Sequence, residues 1–260
     1  MEVDVVTDPD EIKRVIPVIK SAWGMQNMDQ LVKDILCSFR FHGGLVLTAR
    51  DGDETVGMQY SYPGFKNGKM YLYSHMTGVL DGRKYSGIGE ALKLEQKRWA
   101  LQHGYDLIIW TYDPLMSLNA NFNTHKLGTV SRTYLRNFYG EMEDSLNFGF
   151  PTDRFVTEWH LNRELFHVPV EAEEINWQMK DQITFETLPS WVSVKIPKDY
   201  IKVKRENREE AMKIRLFTRN IFENLFKMGY VVVDFHREKS LYMLSKENSI
   251  IDELGKNIFI

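Results

Sequence analysis

The sequence predicts a mixed α/β fold of the α+β kind: a largely antiparallel central sheet flanked by helices, with a carboxy-terminal α/β extension. Three observations predict it. The runs "LVLTAR", "TVGMQYSY" and "KMYLYSHMTGVL" follow one another, separated by "DGDE" and "PGFKNG", which have the composition of hairpin turns. Helix-length amphipathic runs stand before and after them. The apolar run "DLIIWTY" follows one of these helices, the order that returns a chain to its sheet as a parallel strand.

The elements can be justified in order. β-Branched residues from Val3 to Val6 predict a first strand. Asp8 precedes "PDEIKRVIPVIKSAWG", where proline and acids start a helix and Gly24 ends it. "MDQLVKDILCSFRFHGG" reads as a second helix, and the three hairpin strands come next. A loop, a long helix and the strand "DLIIWTY" follow, then a shorter helical segment, "SLNANFNTHKLG". The strands "TVSRTYL" and "RFVTEWHL" bracket a long loop, Arg136 to Asp153. Beyond "HVPVEAEEI" the pattern weakens until the helix "REEAMKIRLFTRNIFENLFKMG" and the strands "YVVVDF" and "SLYMLS". The acidic segment near Glu171 is the linker candidate, which places a first domain at 1–165 and an extension at 166–260. The helix, Gly229 and two strands of the extension resemble the closing half of the first domain, with Gly229 matching Gly128.

Composition narrows the function. With 33 basic and 36 acidic residues, the net charge is −3, which argues against a nucleic-acid partner. No apolar run approaches the roughly 20 residues that span a membrane, and the start "MEVDVVTDPDE" lacks a signal-peptide pattern. Cys37 is the single cysteine. A reduced, cytoplasmic protein with no membrane partner is the expectation. The seven histidines show no close pairing, so no metal is expected.

The segment "LDGRKYSGIGEALKLEQKRW" carries the strongest functional signal. Gly87 and Gly89 stand where a loop becomes a helix. A dinucleotide fingerprint would need a third glycine where Leu92 stands. A nucleoside-triphosphate loop would need lysine and serine or threonine where Glu90 and Ala91 stand. Two readings remain: a tight turn without a ligand, and a pyrophosphate cradle built from the amides and dipole of a helix start.

The order strand, loop, glycine pair, long helix and apolar strand resembles the acyl-CoA core of the GNAT family of N-acyltransferases. That signature runs from a hydrophobic residue through Arg or Gln to Gly-x-Gly or Gly-x-Ala. Val79, Lys84, Gly87 and Gly89 occupy its positions, with lysine in place of Arg or Gln and Tyr85 where glycine is common. "HMTGVL" and "DPLMSLNANFNTHKLG" resemble a branch of acetyltransferases within the same family. The resemblance implies that an acyl-CoA, most simply acetyl-CoA, is a co-substrate. It implies that Thr77, Gly78, Val79, Lys84, Tyr85, Ser86, Gly87, Ile88 and Gly89 bind it, along with Ser117, Asn119, Ala120 and Asn123. The strand 69–79 should splay from the strand after the helix, with backbone amides near Gly78 and Val79 facing the thioester carbonyl and a bulge at Gly78.

Alternation along that strand places Tyr71, Tyr73, His75 and Thr77 on one face. His75 is the candidate base for an amine acceptor; a packed sheet histidine is the alternative. Tyr73 could hold a water, and Tyr71 could shape the acceptor pocket. The family's usual acidic tyrosine is replaced by Thr124, so Tyr112 and Tyr139 become candidate acids, with a thiolate that leaves unassisted or through water as the alternative. Tyr139, Glu141, Asp153 and Arg154 are acceptor-site candidates; Arg154 suits a carboxylate, with a surface ion pair as the alternative. The resemblance therefore implies acyl transfer, most simply N-acetyl transfer, to a small-molecule amine by direct attack. A CoA-binding sensor that has lost catalysis is the alternative, and a homodimer is a compatible assembly.

Overall fold

The computed structural model describes all residues except 9, 25–28, 84–86, 141–148, 164, 165, 167, 169–171, 180–182 and 260, and the side chains of 29 and 30. The chain divides into two compact units, Met1–Trp110 and Thr111–Ile260.

The first unit contains β1 (Glu2–Val5), α1 (Ile16–Trp23), α2 (Asp29–Phe41), β2 (Leu45–Asp51), β3 (Glu54–Lys66), β4 (Lys69–Val79) and α3 (Ile88–Gln102). It ends within β5 (Leu107–Tyr112). The strands lie in the order β1-β2-β3-β4-β5, antiparallel except for the β4–β5 pair. The single helix expected after Asp8 is a 3-10 turn, Glu11–Arg14, followed by α1. Pro17 causes the division, because the first turn of α1 tolerates a residue without an N–H.

Period-2 and period-3.6 patterning give this sheet two covered faces. Ile12, Val15, Val18, Ile19 and Leu36 pack with Val46, Met58 and Tyr60 on one face. Ile88 and Leu92 of α3 pack with Leu45, Leu47, Ala49 and Val56 on the other.

Two irregularities of β4 shape the rest. Among the described residues its pairing with β5 is confined to Leu72–Ile108 and Tyr73–Ile109, and β4 then continues to Val79 against β3. The β3–β4 register shifts between Tyr60–Met76 and Ser61–Ser74, which leaves His75 as the extra residue of a bulge. The bulge expected at Gly78 therefore lies at His75. Gly78 pairs in register with Met58, and a Cβ on it would approach the Trp23 ring to 2.5 Å. The close approach of α1 is what requires glycine there.

The second unit contains α4 (Ser117–Ala120), a π-helical turn (Asn121–Lys126), β6 (Val130–Leu135), β7 (Arg154–His160), β8 (Glu173–Ile175) and β9 (Trp191–Lys195). It continues with α5 (Tyr200–Glu206), α6 (Arg208–Lys227), β10 (Val231–His236), β11 (Leu241–Ser245) and α7 (Asn248–Leu254). Its strands run β7-β6-β10-β11-β9-β8. Phe155 of β7, Phe222 of α6, and Phe235 and Tyr242 of the β10–β11 hairpin share one core with Tyr112 and Leu115. That core lies within the second unit. Arg215, fully buried on α6, forms a two-point ion pair with Asp113 at 2.8 and 2.6 Å.

Candidate functional site

The bulge turns the His75 ring to the α1–α2 face, among three tyrosines. Its ring centre lies 5.2 Å from Tyr60, 6.0 Å from Tyr62 and 5.9 Å from Tyr73. Tyr73 and Tyr62 face each other across the strands at 5.2 Å. Burial lowers the His75 pKa below its usual 6.5. Its Nδ1 is buried with no hydrogen-bond partner among the described residues. An imidazole held neutral, with one nitrogen unspent, has what a proton acceptor requires.

The same bulge corrects the expected alternation. Beyond His75 the phase of β4 reverses, so Met76 packs in the α1–α2 core while Thr77 pairs with Gln59 on the α3 side. Thr77 therefore does not share a face with Tyr71, Tyr73 and His75. Tyr71 lies against Gly64, where an added Cβ would meet its ring at 2.2 Å, and burial raises its phenol.

Val79 packs against the α3 core. Gly87 caps α3 in the left-handed conformation, φ 82°. A Cβ on Gly87 or Gly89 would meet nothing within 4 Å, so the first turn of α3 has open space beside its unspent amides. Ile88 begins α3 with its side chain in the core. Lys84, Tyr85 and Ser86 lie outside the described residues, as does Glu141.

On the α3 face of the first unit lies a buried polar group that sequence reasoning missed. Lys93 donates from Nζ to Ser74 Oγ at 2.8 Å and to Gln96 Oε1 at 3.2 Å. Gln96 Nε2 donates to Ser61 Oγ at 2.6 Å, and Gln59 Nε2 also donates to Ser61 Oγ. Burial lowers the Lys93 amine to about 7. The available signal was the spacing of Lys93, Gln96 and Ala100, which continues the buried stripe of Leu92 around the helix.

In the second unit, Tyr112 is a core residue. Its hydroxyl lies 3.2 Å from that of Tyr242 and 3.4 Å from Thr124 Oγ1. Burial pushes its phenol up to about 12, a poor match to proton donation near neutral pH. Tyr139 is exposed, 3.4 Å from Thr111 Oγ1 and beneath the Arg154 guanidinium at 5.2 Å. Arg154 makes no ion pair among the described residues, and its buried Nε has no partner. Ser117 donates to the Lys198 carbonyl at 2.5 Å, Asn119 is exposed, and Ala120 and Asn123 are buried. The expected helix 117–128 becomes α4 plus a π turn closed by Leu127 N–H to Phe122 O at 3.1 Å. Such turns are frequent at functional sites.

No family model matches the sequence, and no curated protein does. Solved structures do. A Desulfovibrio desulfuricans protein described as an acetyltransferase of the GNAT family aligns with TM-score 0.50 and 16% identity, over 62% of this chain and 98% of its own. The chain has the GNAT fold. A ribosomal-protein-alanine N-acetyltransferase from Brucella melitensis aligns with TM-score 0.50 and 15% identity, over 61% of this chain and 98% of its own. At these identities the likeness carries the GNAT architecture, and the chemistry must be argued from this chain's residues. Among the described residues no helix is long and apolar enough to cross a membrane.

Proposed function

We propose that the chain is an acyl-CoA-dependent N-acyltransferase, most simply an N-acetyltransferase, acting on a small amine or amino-acid-like acceptor. The carrying observation is the pair of irregularities in β4: it leaves β5 after Tyr73, and it bulges at His75. An opening between two strands frees backbone amides along β4 to meet a thioester carbonyl. The bulge aims a neutral imidazole at the same stretch.

The fit of the co-substrate is supported at α3. Open space at Gly87 and Gly89 and the unspent amides of the first turn suit a pyrophosphate. In this reading His75 takes the acceptor amine's proton, directly or through water held by Tyr73. The amine nitrogen attacks the thioester carbon, and CoA leaves as a thiol. No enzyme nucleophile is needed.

Two measurements test the reading. Acetyl-CoA at one hundred times its dissociation constant should stabilise the protein by about 2.7 kcal/mol. Thiol release from acetyl-CoA should then depend on an amine, in a panel that includes amino acids. No thermal shift at millimolar acetyl-CoA would overturn the proposal.

A further inference from the structure

We propose that Lys93 is the catalytic acid for the departing sulfur, donating its proton to the CoA thiolate; the proposal rests on the acyl-transfer reading above. The last paired residues of β4 and β5 are Tyr73 and Ile109. The next residue on each strand is Ser74 and Trp110. Lys93 Nζ bonds the Ser74 hydroxyl at 2.8 Å and stands 3.8 Å from the centre of the Trp110 ring. It thus bridges the two strands at the point where their pairing stops.

The environment of the amine is equally informative. A lysine this deeply buried ordinarily pairs with a carboxylate. Lys93 has none: no ion pair includes it among the described residues, and burial alone accounts for the shift of its pKa. The groups facing it are Ser74 from β4, Gln59 and Ser61 from β3, Gln96 from α3, and the Trp110 ring from β5. None carries charge or titrates near neutral pH. His75 follows Ser74 but faces the opposite side of the sheet, among the tyrosines. An apolar side chain would fill such a place at less cost. A cation kept there, uncompensated, is a site for an anion that forms transiently.

The reaction has one such anion. As the acceptor nitrogen bonds the carbonyl carbon, the carbon–sulfur bond breaks and its electron pair goes to sulfur. The Lys93 ammonium gives one proton to that sulfur and is left as the neutral amine. His75 holds the proton taken from the acceptor. Proton exchange with water then returns both groups to their starting forms, so no other reactant is consumed. Beside the ammonium the new thiolate is stabilised, so the bound thiol ionises below its free value near 8.5, and the proton passes to sulfur as CoA departs. Tyr112, with its hydroxyl committed to Tyr242 in the core, is less suited to the task.

The test needs no acceptor. CoA and desulfo-CoA are bound to wild type, Lys93→Met and Gln96→Met, and the ultraviolet band of the CoA thiolate is followed from pH 6 to 10, with desulfo-CoA as the blank. Wild type should bind both ligands and hold the CoA thiol at least tenfold more ionised than free CoA at pH 7.5. Lys93→Met should bind both and return the thiol to its free behaviour. Gln96→Met, which removes a neighbour but keeps the amine, should resemble wild type. Equal ionisation in wild type and Lys93→Met, with both binding, overturns the proposal. Failure of wild type to bind either ligand overturns the acyl-transfer reading as well, and the blank alone reveals it.

Discussion

Replacing Lys93 by methionine should stabilise the protein, and the gain should shrink as pH rises. In the folded chain the amine lies at about 7; in the unfolded chain it lies near 10.4. The unfolded state therefore binds the proton more tightly, and folding releases it between these values. Below the folded value the full penalty applies; above the unfolded value it is gone, so wild-type stability rises with pH in between. At 1.36 kcal/mol per unit, the charge costs wild type about 4 kcal/mol at pH 7 and about 2 kcal/mol at pH 9. Losing the hydrogen bonds to Ser74 and Gln96 offsets part of the gain at both pH values, by roughly 1 kcal/mol each. Urea unfolding of both proteins at pH 7 and pH 9 measures the difference. The margin of Lys93→Met over wild type should fall by about 2 kcal/mol between them. A margin that does not change with pH would refute the claim that the buried amine is the cause.

Three further outcomes follow from the same geometry. His75→Gln should lower turnover by about 10²–10⁴-fold with acetyl-CoA affinity unchanged; because burial depresses the imidazole, wild-type activity should rise with pH along a limb centred below 6.5, and the variant should lose that limb. Gly78→Val should destabilise by about 1–3 kcal/mol through its clash with the Trp23 ring, and most of that loss should disappear in a Trp23→Ala background. Asp113→Ala should cost about 3–5 kcal/mol in urea unfolding, because it leaves the Arg215 guanidinium buried without its partner; a loss under about 1 kcal/mol would mean that the pair relaxes to solvent.

Much of this molecule can be read from local signals. The hairpin turns, the glycine pair and the apolar strand fix β2 to β5 and α3, because each depends on neighbours in sequence. What cannot be read is set by residues far apart. The bulge at His75 comes from the register between β3 and β4, and strict alternation along β4 placed Thr77 on the wrong side. Gly78 looked like a bulge residue, but its reason is Trp23 of α1, fifty-five positions away in sequence. Lys93 drew no reading from the sequence, because its burial is set by the sheet beneath α3. In the second unit β8, β9, α5 and α7 carry weak patterns of their own; β8, β9 and α5 are specified by the core they share with α6 and the β10–β11 hairpin, and α7 by the packing of Ile250 and Leu254 against Val130, Val231 and Val233.

The most direct test of the acyl-CoA reading is a calorimetric titration of acetyl-CoA into wild type and Gly89→Leu. Gly89 has an ordinary backbone conformation and open space at its Cβ position, so the variant should fold with an unchanged melting temperature. The account predicts saturable one-to-one binding by wild type and a loss of at least about tenfold, or 1.4 kcal/mol, in the variant. Equal affinity in the two proteins, or no binding by wild type at millimolar acetyl-CoA, would contradict it.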